Sequence, residues 1–259
     1  MQECEKGLSV VEIIAVKGLP IIKEGDDLAE LICSRAEKQG TPIKNGDIIV
    51  ITHVVVSRAE GNVVNLSTVN PSDFARNLAQ QSSKDPALVE TVLRESKTIV
   101  RSGNGNIIAE TKHGFICANA GVDQSNVPGE GNVALLPENP DSSAREIRRR
   151  IGELTGKDVA VIISDTQGRP LREGEINIAI GVAGISPIRD RRGEKDLFGY
   201  VLRVKRTAIG DELSSAAELV IGQADEGIPV AIIRGYSYPR SEVAQSTELL
   251  RTREKDLFI

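Results

Sequence analysis

The stretch VAVIISDTQGR, residues 159–169, does most to decide the fold. Its apolar half, Val159–Ile163, predicts a buried strand, and Asp165, Thr166 and Arg169 follow at the carboxyl end of that strand. Proteins of mixed α and β structure often bind ligands at such ends, because the strand fixes side chains that the next loop leaves exposed. A carboxylate beside a hydroxyl suits Mg²⁺ or Mn²⁺. Taken alone, this pattern more often means that Asp165 and Thr166 cap a turn.

A second predicted strand ends in a similar way. The segment FICAN, residues 115–119, leads into the loop AGVDQSN, residues 120–126, where Asp123 and Asn126 can face one site. This loop is also more often structural when it is considered alone. Two strand-end carboxylates would suffice for a cation whose other ligands are phosphate oxygens and water. The sequence leaves open whether Asp123 and Asp165 converge.

Two loops that contain glycine are candidates for a nucleotide site. GLPIIKEGDD, residues 18–27, joins the first predicted strand to the first helix, and GQADEGIP, residues 222–229, follows the last predicted helix. Backbone N–H groups in such loops can bind phosphate, and Lys23 lies close by in the first loop. Neither loop matches the Walker A or GxGxxG pattern, so a plain connection is the favoured interpretation of each loop when it is considered alone.

The arginines suggest two different roles. Arg145, Arg148 and Arg149 share one helical surface, where pairing with acids or exposure to solvent is the favoured interpretation. Arg169 and Arg172 follow the 159–163 strand closely, and their guanidinium groups match carboxylate and phosphate groups, so they are our candidates for binding anionic substrate groups.

The two histidines do not indicate covalent hydrolysis. His53 is predicted to lie inside an apolar strand, as a hydrogen-bonded residue of the core or of a pocket edge. The chain has no Ser-His-Asp order and no Cys-His pairing that includes His53 or His113.

Start signals predict five helices, and apolar runs predict seven strands between them. The helices begin near Asp27, Asn70, Asp85, Ser143 and Asp211, and the strands are Val10–Val16, Ile48–Val56, Phe115–Asn119, Val159–Ile163, Ile176–Val182, Val201–Val204 and Val230–Ile233. Because short strand candidates follow one another after residue 170, a mixed α+β fold is favoured over a doubly wound sheet. No domain boundary can be placed within residues 1–259, so two lobes, where present, would be interleaved.

Composition excludes several classes of protein. The chain has 259 residues, of which 40% are hydrophobic and 27% charged, as in an ordinary globular protein. With four Phe, three Tyr and no Trp, it has few rings on which nucleic-acid bases could stack. Its net charge of −5 gives no general attraction to nucleic acid or to anionic membranes.

The same chain lacks the signals of export. The run Ile48–Val56 is far shorter than the roughly 20 residues that span a bilayer. Residues 1–10 have no apolar signal-peptide segment, so we expect a cytoplasmic protein. Cys4, Cys33 and Cys117 are widely spaced, which predicts neither a disulfide framework nor a zinc site. Cys33 and Cys117 are predicted to be core residues.

Six segments, in order along nearly the whole chain, resemble the coenzyme F420 gamma-glutamyl ligase family. They are GLPIIKEGDDL at 18–28, VVSRAEG at 55–61, NAGVDQSNV at 119–127, RRRIGELTGKDVAVIISDTQGR at 148–169, AIGVAG at 179–184 and DELSSAAELVIGQADEGIPVAIIRG at 211–235. The resemblance implies one ligase unit over residues 1–259, without the flavin-reductase-like extension that some relatives carry. It also implies an α+β fold particular to the family and an intertwined homodimer.

The implied activity is the GTP-dependent addition of L-glutamate to the lactyl carboxylate of the deazaflavin precursor F420-0. Magnesium or manganese would act at the phosphates, and potassium is a further expected cation. The implied metal ligands are Asp123, Asp165, Thr166 and Gln223. The implied nucleotide-binding residues are Leu19, Pro20, Ile21, Ile22, Thr52, His53, Arg58, Asn126, Gly222, Ala224, Asp225, Glu226 and Gly227.

Three positions depart from the family pattern. Gln223 stands where relatives can have a metal-binding Glu, His53 replaces a small polar residue beside the nucleotide, and Tyr200 stands where relatives often have Arg. Two alternatives therefore stay open. One is a related ligase or phosphotransferase that acts on another carboxylate, and the other is a non-catalytic dimeric module that binds GTP.

Overall fold

Helices and strands alternate irregularly along the chain, which a computed structural model describes over residues 10–103 and 105–256. The helices of this part are α1 (Leu28–Lys38), α2 (His53–Ala59), α3 (Asp73–Ser82), α4 (Pro86–Glu95), α5 (Pro140–Thr155) and α6 (Ile209–Ile221), with short 3₁₀ turns at Leu66–Thr68, Asn119–Gly121, Ser246–Leu249 and Arg253–Lys255. The strands are β1 (Glu12–Ala15), β2 (Ile48–Thr52), β3 (Val63–Asn65), β4 (Ser96–Gly103), β5 (Asn106–Thr111), β6 (Ile116–Ala118), β7 (Asn132–Ala134), β8 (Ala160–Arg169), β9 (Arg172–Ala183), β10 (Arg189–Asp190), β11 (Arg206–Thr207) and β12 (Val230–Arg234). The predicted α+β class is confirmed.

A five-stranded sheet forms the centre of the fold. Its strand order is β1-β12-β2-β8-β9, with β2 and β8 parallel and the other neighbours antiparallel. The residues Ile48–Ile51 of β2 are fully buried, because helices cover both faces of the sheet. The core on one face includes residues of α1 and α5, and that on the other face includes residues of α6.

A third apolar core lies in the middle of the chain. It joins α3 and α4 to the sheet β4-β5-β6 and to the pair β3-β7. The interleaved lobes and the homodimer stay predictions. Of the three cysteines, Cys117 is buried and Cys33 half-buried, and both are free, while Cys4 lies outside the described residues.

The capping residues in the sequence predicted most helix starts to within a few positions. Asp27 caps α1 and Asp85 caps α4, in both cases by accepting a hydrogen bond from a backbone N–H of the first turn. The second predicted helix begins slightly later than expected, because Ser72 is its cap. The fourth begins earlier, since Asn139 caps it and Ser143 lies inside its first turn.

Two strand predictions were wrong. The strand predicted over Ile48–Val56 ends at Thr52, and the chain turns directly into α2, so His53 begins a helix. Its valines favour strands intrinsically, but burial of the helix against the sheet overrides that preference. The strand predicted over Val201–Val204 is absent from the described structure, where Val201 makes one isolated bridge to Lys195.

The arginines of α5 are paired with acids or exposed, as predicted, and the exposed Arg145 donates to the Ser142 hydroxyl. Arg148 contacts Asp158 and Glu242, and Arg149 contacts Glu146 on the same helix. In the part of the chain that the structure describes, no helix combines the length and the apolar character needed to cross a membrane.

Candidate active site

A cavity of about 540 Å³ opens at the end of β2, beside the middle of β8. Five segments of the chain meet around it, namely the loop after β1, the start of α2, the loop after β6, the outer part of the β8-β9 hairpin and the loop after α6. A space of this size is in the range of small-molecule sites. The site is therefore built from parts of the chain that are far apart in sequence.

Most of the predicted site residues line this cavity. They are Leu19, Pro20, Ile21, Ile22, Thr52, His53, Arg58, Asp123, Asn126, Asp165, Thr166, Gly222, Gln223, Ala224, Glu226 and Gly227. Asp225, Arg169 and Arg172 do not line it. The structure thus brings together the two strand ends and the two loops that the sequence singled out.

The strand that carries Asp165 differs from its prediction. β8 does not end at Ile163 but continues as a hairpin arm to Arg169, and Asp165 and Thr166 pair with residues of β9. The alternative in which both residues cap a turn is therefore wrong. A bulge in the pairing next to Ser164 re-aims the side chains that follow, as bulges often do beside active sites.

Asp165 lies in a charged corner of the cavity, where it and His53 are both buried. Its Oδ1 is 3.3 Å from His53 Nε2, and its Oδ2 accepts a hydrogen bond of 3.1 Å from Gln167. Burial disfavours the imidazolium form of His53, but the charge and hydrogen bond of Asp165, with the charge of Asp123, outweigh burial and raise the pKa of His53. Burial, aided by the charge of Asp165, raises the pKa of Cys117 to about 12, so this thiol stays protonated.

Asp123 reaches the cavity from a tight loop. Asn119, Ala120 and Asn126 have positive φ angles of 52°, 52° and 54°, and asparagine tolerates this left-handed conformation better than most residues. Asp123 Oδ1 accepts a hydrogen bond of 2.7 Å from the Ser125 N–H, which stiffens the turn. Asp123 is thus both a turn residue and a cavity residue.

Thr166 belongs to a hydrogen-bonded group that joins β8 to β9 and to the loop after α6. Its hydroxyl lies 2.7 Å from Asn177 Oδ1 and 3.1 Å from Gln223 Oε1. Gln223 Nε2 donates to Glu218 Oε1 at 2.8 Å, and the Asn177 N–H donates to Glu218 Oε2 at 3.0 Å. Sequence reasoning missed Asn177 and Glu218. An asparagine in the apolar run Ile176–Val182 was a usable signal for the former, whereas nothing local marked Glu218.

Arg58 ties two loops of the cavity together. Its Nη2 donates to the Ile22 carbonyl at 2.6 Å, and its Nη1 donates to the Asn126 carbonyl at 3.3 Å. Burial lowers the pKa of Arg58, although the charge of Asp26 partly offsets this. Both of these partners are neutral, so the guanidinium can also neutralise an anion that enters the cavity.

The loop after α6 is held in shape by Glu226. The carboxylate accepts a hydrogen bond of 2.8 Å from the Ala224 N–H, and backbone N–H groups lower the pKa of Glu226. Gly222 has a φ of 75°, and a side chain there would meet the Glu226 carboxylate. Glycine is therefore required where this loop leaves the helix.

The oxygen atoms of the cavity fit a hard divalent cation. Asp123 and Asp165 offer carboxylates, and Thr166 and Gln223 offer neutral oxygens, which is the ligand chemistry that Mg²⁺ and Mn²⁺ prefer. Among the described residues, no three His, Cys, Asp or Glu side chains are grouped so as to hold a metal. A cation here would therefore take ligands beyond the two carboxylates.

Arg169 and Arg172 flank the tip of the β8-β9 hairpin, beyond the cavity wall. Arg169 Nη2 donates to the Glu173 carbonyl at 2.9 Å, within the hairpin itself. Leu171, between them, is 91% exposed. Their predicted contact with substrate anions stays a prediction.

Comparison with known proteins gives concordant results. A family model described as F420-0:Gamma-glutamyl ligase matches residues 18–235. The chain is 51% identical over 249 residues to the coenzyme F420:L-glutamate ligase of Methanothermobacter thermautotrophicus, with 96% of this chain and 98% of the relative covered. It is 49% identical to the enzyme of the same name from Methanopyrus kandleri, with 97% and 99% covered. Identity to the one from Archaeoglobus fulgidus is 41%, with 95% and 96% covered.

Proposed function

The chain belongs to the F420-0:gamma-glutamyl ligase family, and on this basis we propose that it adds L-glutamate to the deazaflavin precursor F420-0 in a reaction driven by GTP. The supporting observation is the cavity itself, in which Asp123, Asp165, Thr166 and Arg58 surround one space. Carboxylates and a guanidinium at the end of a sheet suit the binding of a metal-bound polyphosphate.

The chemistry requires activation of a carboxylate. An amine does not displace an oxide ion from a carboxylate, because oxide is too poor a leaving group. A better leaving group must therefore first be attached to the carboxylate. In the proposed reaction, an oxygen of the F420-0 carboxylate bonds to the γ-phosphorus, and the bond between the γ-phosphorus and the β,γ-bridging oxygen breaks. The α-amino nitrogen of glutamate then attacks the acyl carbon. Phosphate leaves with the carboxylate oxygen, and the amine loses a proton.

The protein's contribution would be alignment and charge neutralisation. Arg58 would bind phosphate while it holds the loops of Ile22 and Asn126 together. The apolar segment Leu19–Ile22 would cover the nucleotide. Asp123, Asp165, Thr166 and Gln223 would hold Mg²⁺ or Mn²⁺, which would supply positive charge at the phosphates.

A homodimer is part of this proposal. Leu197, Phe198 and Val204 are 97%, 95% and 88% exposed, and they lie on the segment between β10 and β11. Stable monomers seldom expose such a cluster, so this segment is our candidate for the contact with a second copy.

Oxygen labelling tests the proposed reaction. With ¹⁸O in the lactyl carboxylate of F420-0, one label should appear in the phosphate released during each ligation, because that oxygen bridges carbon and phosphorus in an acyl phosphate. A nucleotide-binding module that only hydrolyses GTP would release phosphate carrying an oxygen from water. A phosphotransferase acting on another group would accumulate a phosphorylated product. Unlabelled phosphate alongside the correct amide would refute the acyl-phosphate step.

A further inference from the structure

Glu218 fixes the orientation of Gln223 from behind the cavity wall. It lies on α6 and does not line the cavity, but its Oε1 accepts a hydrogen bond of 2.8 Å from Gln223 Nε2. An ionised carboxylate only accepts hydrogen bonds, so it must face the NH₂ end of the amide. The oxygen end of Gln223 is thereby turned toward Thr166, 3.1 Å away.

Thr166 Oγ1 and Gln223 Oε1 form a pair of neighbouring oxygen atoms. The Thr166 hydroxyl has one proton and two acceptors within reach, Asn177 Oδ1 at 2.7 Å and Gln223 Oε1 at 3.1 Å. When the proton points to the nearer acceptor, the lone pairs of Thr166 Oγ1 lie beside Gln223 Oε1. Neighbouring ligands of an octahedral Mg²⁺, each about 2.1 Å from the ion, are about 3 Å apart. The observed separation matches one edge of such a polyhedron.

We propose that Glu218 is a positioning residue in the binding of a divalent cation. Its hydrogen bond to the amide of Gln223 holds Gln223 Oε1 beside Thr166 Oγ1, so that both oxygens can bind the ion. The inference rests on the proposed function, since it assumes that this cavity binds a metal. It also accounts for the glutamine at position 223. A glutamate there would place a second carboxylate within hydrogen-bonding distance of Glu218, with no proton between them.

The substitution Glu218→Gln should turn the amide of Gln223 over. The Asn177 N–H belongs to the backbone of β9, so it keeps the single acceptor oxygen of the new amide. The new NH₂ group then faces Gln223 and favours rotation of the Gln223 oxygen toward it and away from Thr166. This rotation gives up the longer hydrogen bond, 3.4 Å, that Gln223 Nε2 donates to Asn177 Oδ1. We expect Mn²⁺ affinity to fall about 10- to 100-fold, the usual effect of changing a group that orients a metal ligand. Calorimetric titration with Mn²⁺ alone, without nucleotide, measures this.

The double variant Glu218→Gln/Gln223→Glu provides the rescue. Its amide NH₂ can donate to the new carboxylate at position 223, whose second oxygen again lies beside Thr166, so most of the Mn²⁺ affinity should return. Glu212→Gln, an exposed change on the same helix, is the matched control and should leave affinity unchanged. Melting temperatures without metal should stay near that of the wild type in all three variants, whereas the rise caused by Mn²⁺ should shrink only in the single Glu218 variant.

The proposal is overturned by unchanged Mn²⁺ affinity in Glu218→Gln, by failure of the double variant to regain affinity, or by absence of Mn²⁺ binding to the wild type. A lower melting temperature of metal-free Glu218→Gln with undiminished Mn²⁺ binding would also overturn it, by assigning Glu218 a purely structural role. Ligation by the wild type is assayed separately. A protein that binds Mn²⁺ as described but does not ligate glutamate would refute the proposed function alone.

Discussion

Replacement of Arg58 by Met should weaken GTP binding far more than it weakens the fold. The guanidinium donates at 2.6 Å to the Ile22 carbonyl and at 3.3 Å to the Asn126 carbonyl, so it fixes two loops of the cavity at once. The charged hydrogen bond that Arg58 would donate to a phosphate of GTP contributes about 1.5–3 kcal/mol to binding, and the looser order of the two loops adds a little to its loss. A loss of about 2–3 kcal/mol from binding corresponds to roughly a 30- to 150-fold higher dissociation constant.

Calorimetry with GTP and Mg²⁺ measures this loss directly, and a melting curve of the free protein measures any loss of stability. Arg94→Met is the matched control, because Arg94 is exposed on α4 and pairs only with Glu90 among the described residues. It should leave GTP binding unchanged. Wild-type affinity for GTP in the Arg58 variant, with a lower melting temperature, would refute the reasoning by making the arginine a purely structural clamp.

Three further outcomes are expected. Asp123→Asn and Asp165→Asn should each abolish ligation at limiting Mn²⁺ while the melting temperature changes little, and a near-wild-type rate in either would remove that residue from the metal site. Gly181→Ala should lower the free energy of unfolding by about 1–3 kcal/mol and the melting temperature by roughly 2–12 °C, because the new Cβ would lie 2.5 Å from a backbone oxygen at the start of α5. Gly168→Ala is the control and should leave stability unchanged, because the space around Gly168 is open. Phe198→Asp should convert the expected homodimer into a 27.8 kDa monomer by light scattering, and a wild type that is already monomeric would contradict the proposed contact.

Local patterns in the sequence selected residues that the fold brings to one cavity, but they described the backbone around these residues poorly. Asp165 was singled out because it follows a buried strand, yet it lies within that strand, whose pairing with β9 is a non-local interaction. His53 begins a helix although three valines follow it, because packing against the sheet outweighs local preference. Glu218 was missed for a related reason. On α6 it is an ordinary acidic residue, and its role is visible only where the helix meets Asn177 and Gln223.

The charges around the cavity lead us to expect that the proposed nucleotide and metal bind together. Three carboxylates line it, those of Asp123, Asp165 and Glu226, against the cations of Arg58 and, when protonated, His53. A triphosphate would therefore enter a site in which negative charges already outnumber positive ones. Divalent cations must supply the positive charge that is missing. We expect GTP binding to be lost in EDTA and to return with Mg²⁺ or Mn²⁺. By linkage, GTP must then raise the affinity for the metal by the same factor as the metal raises that for GTP. Equal GTP affinity with and without divalent cations would show that the carboxylates do not face the phosphates.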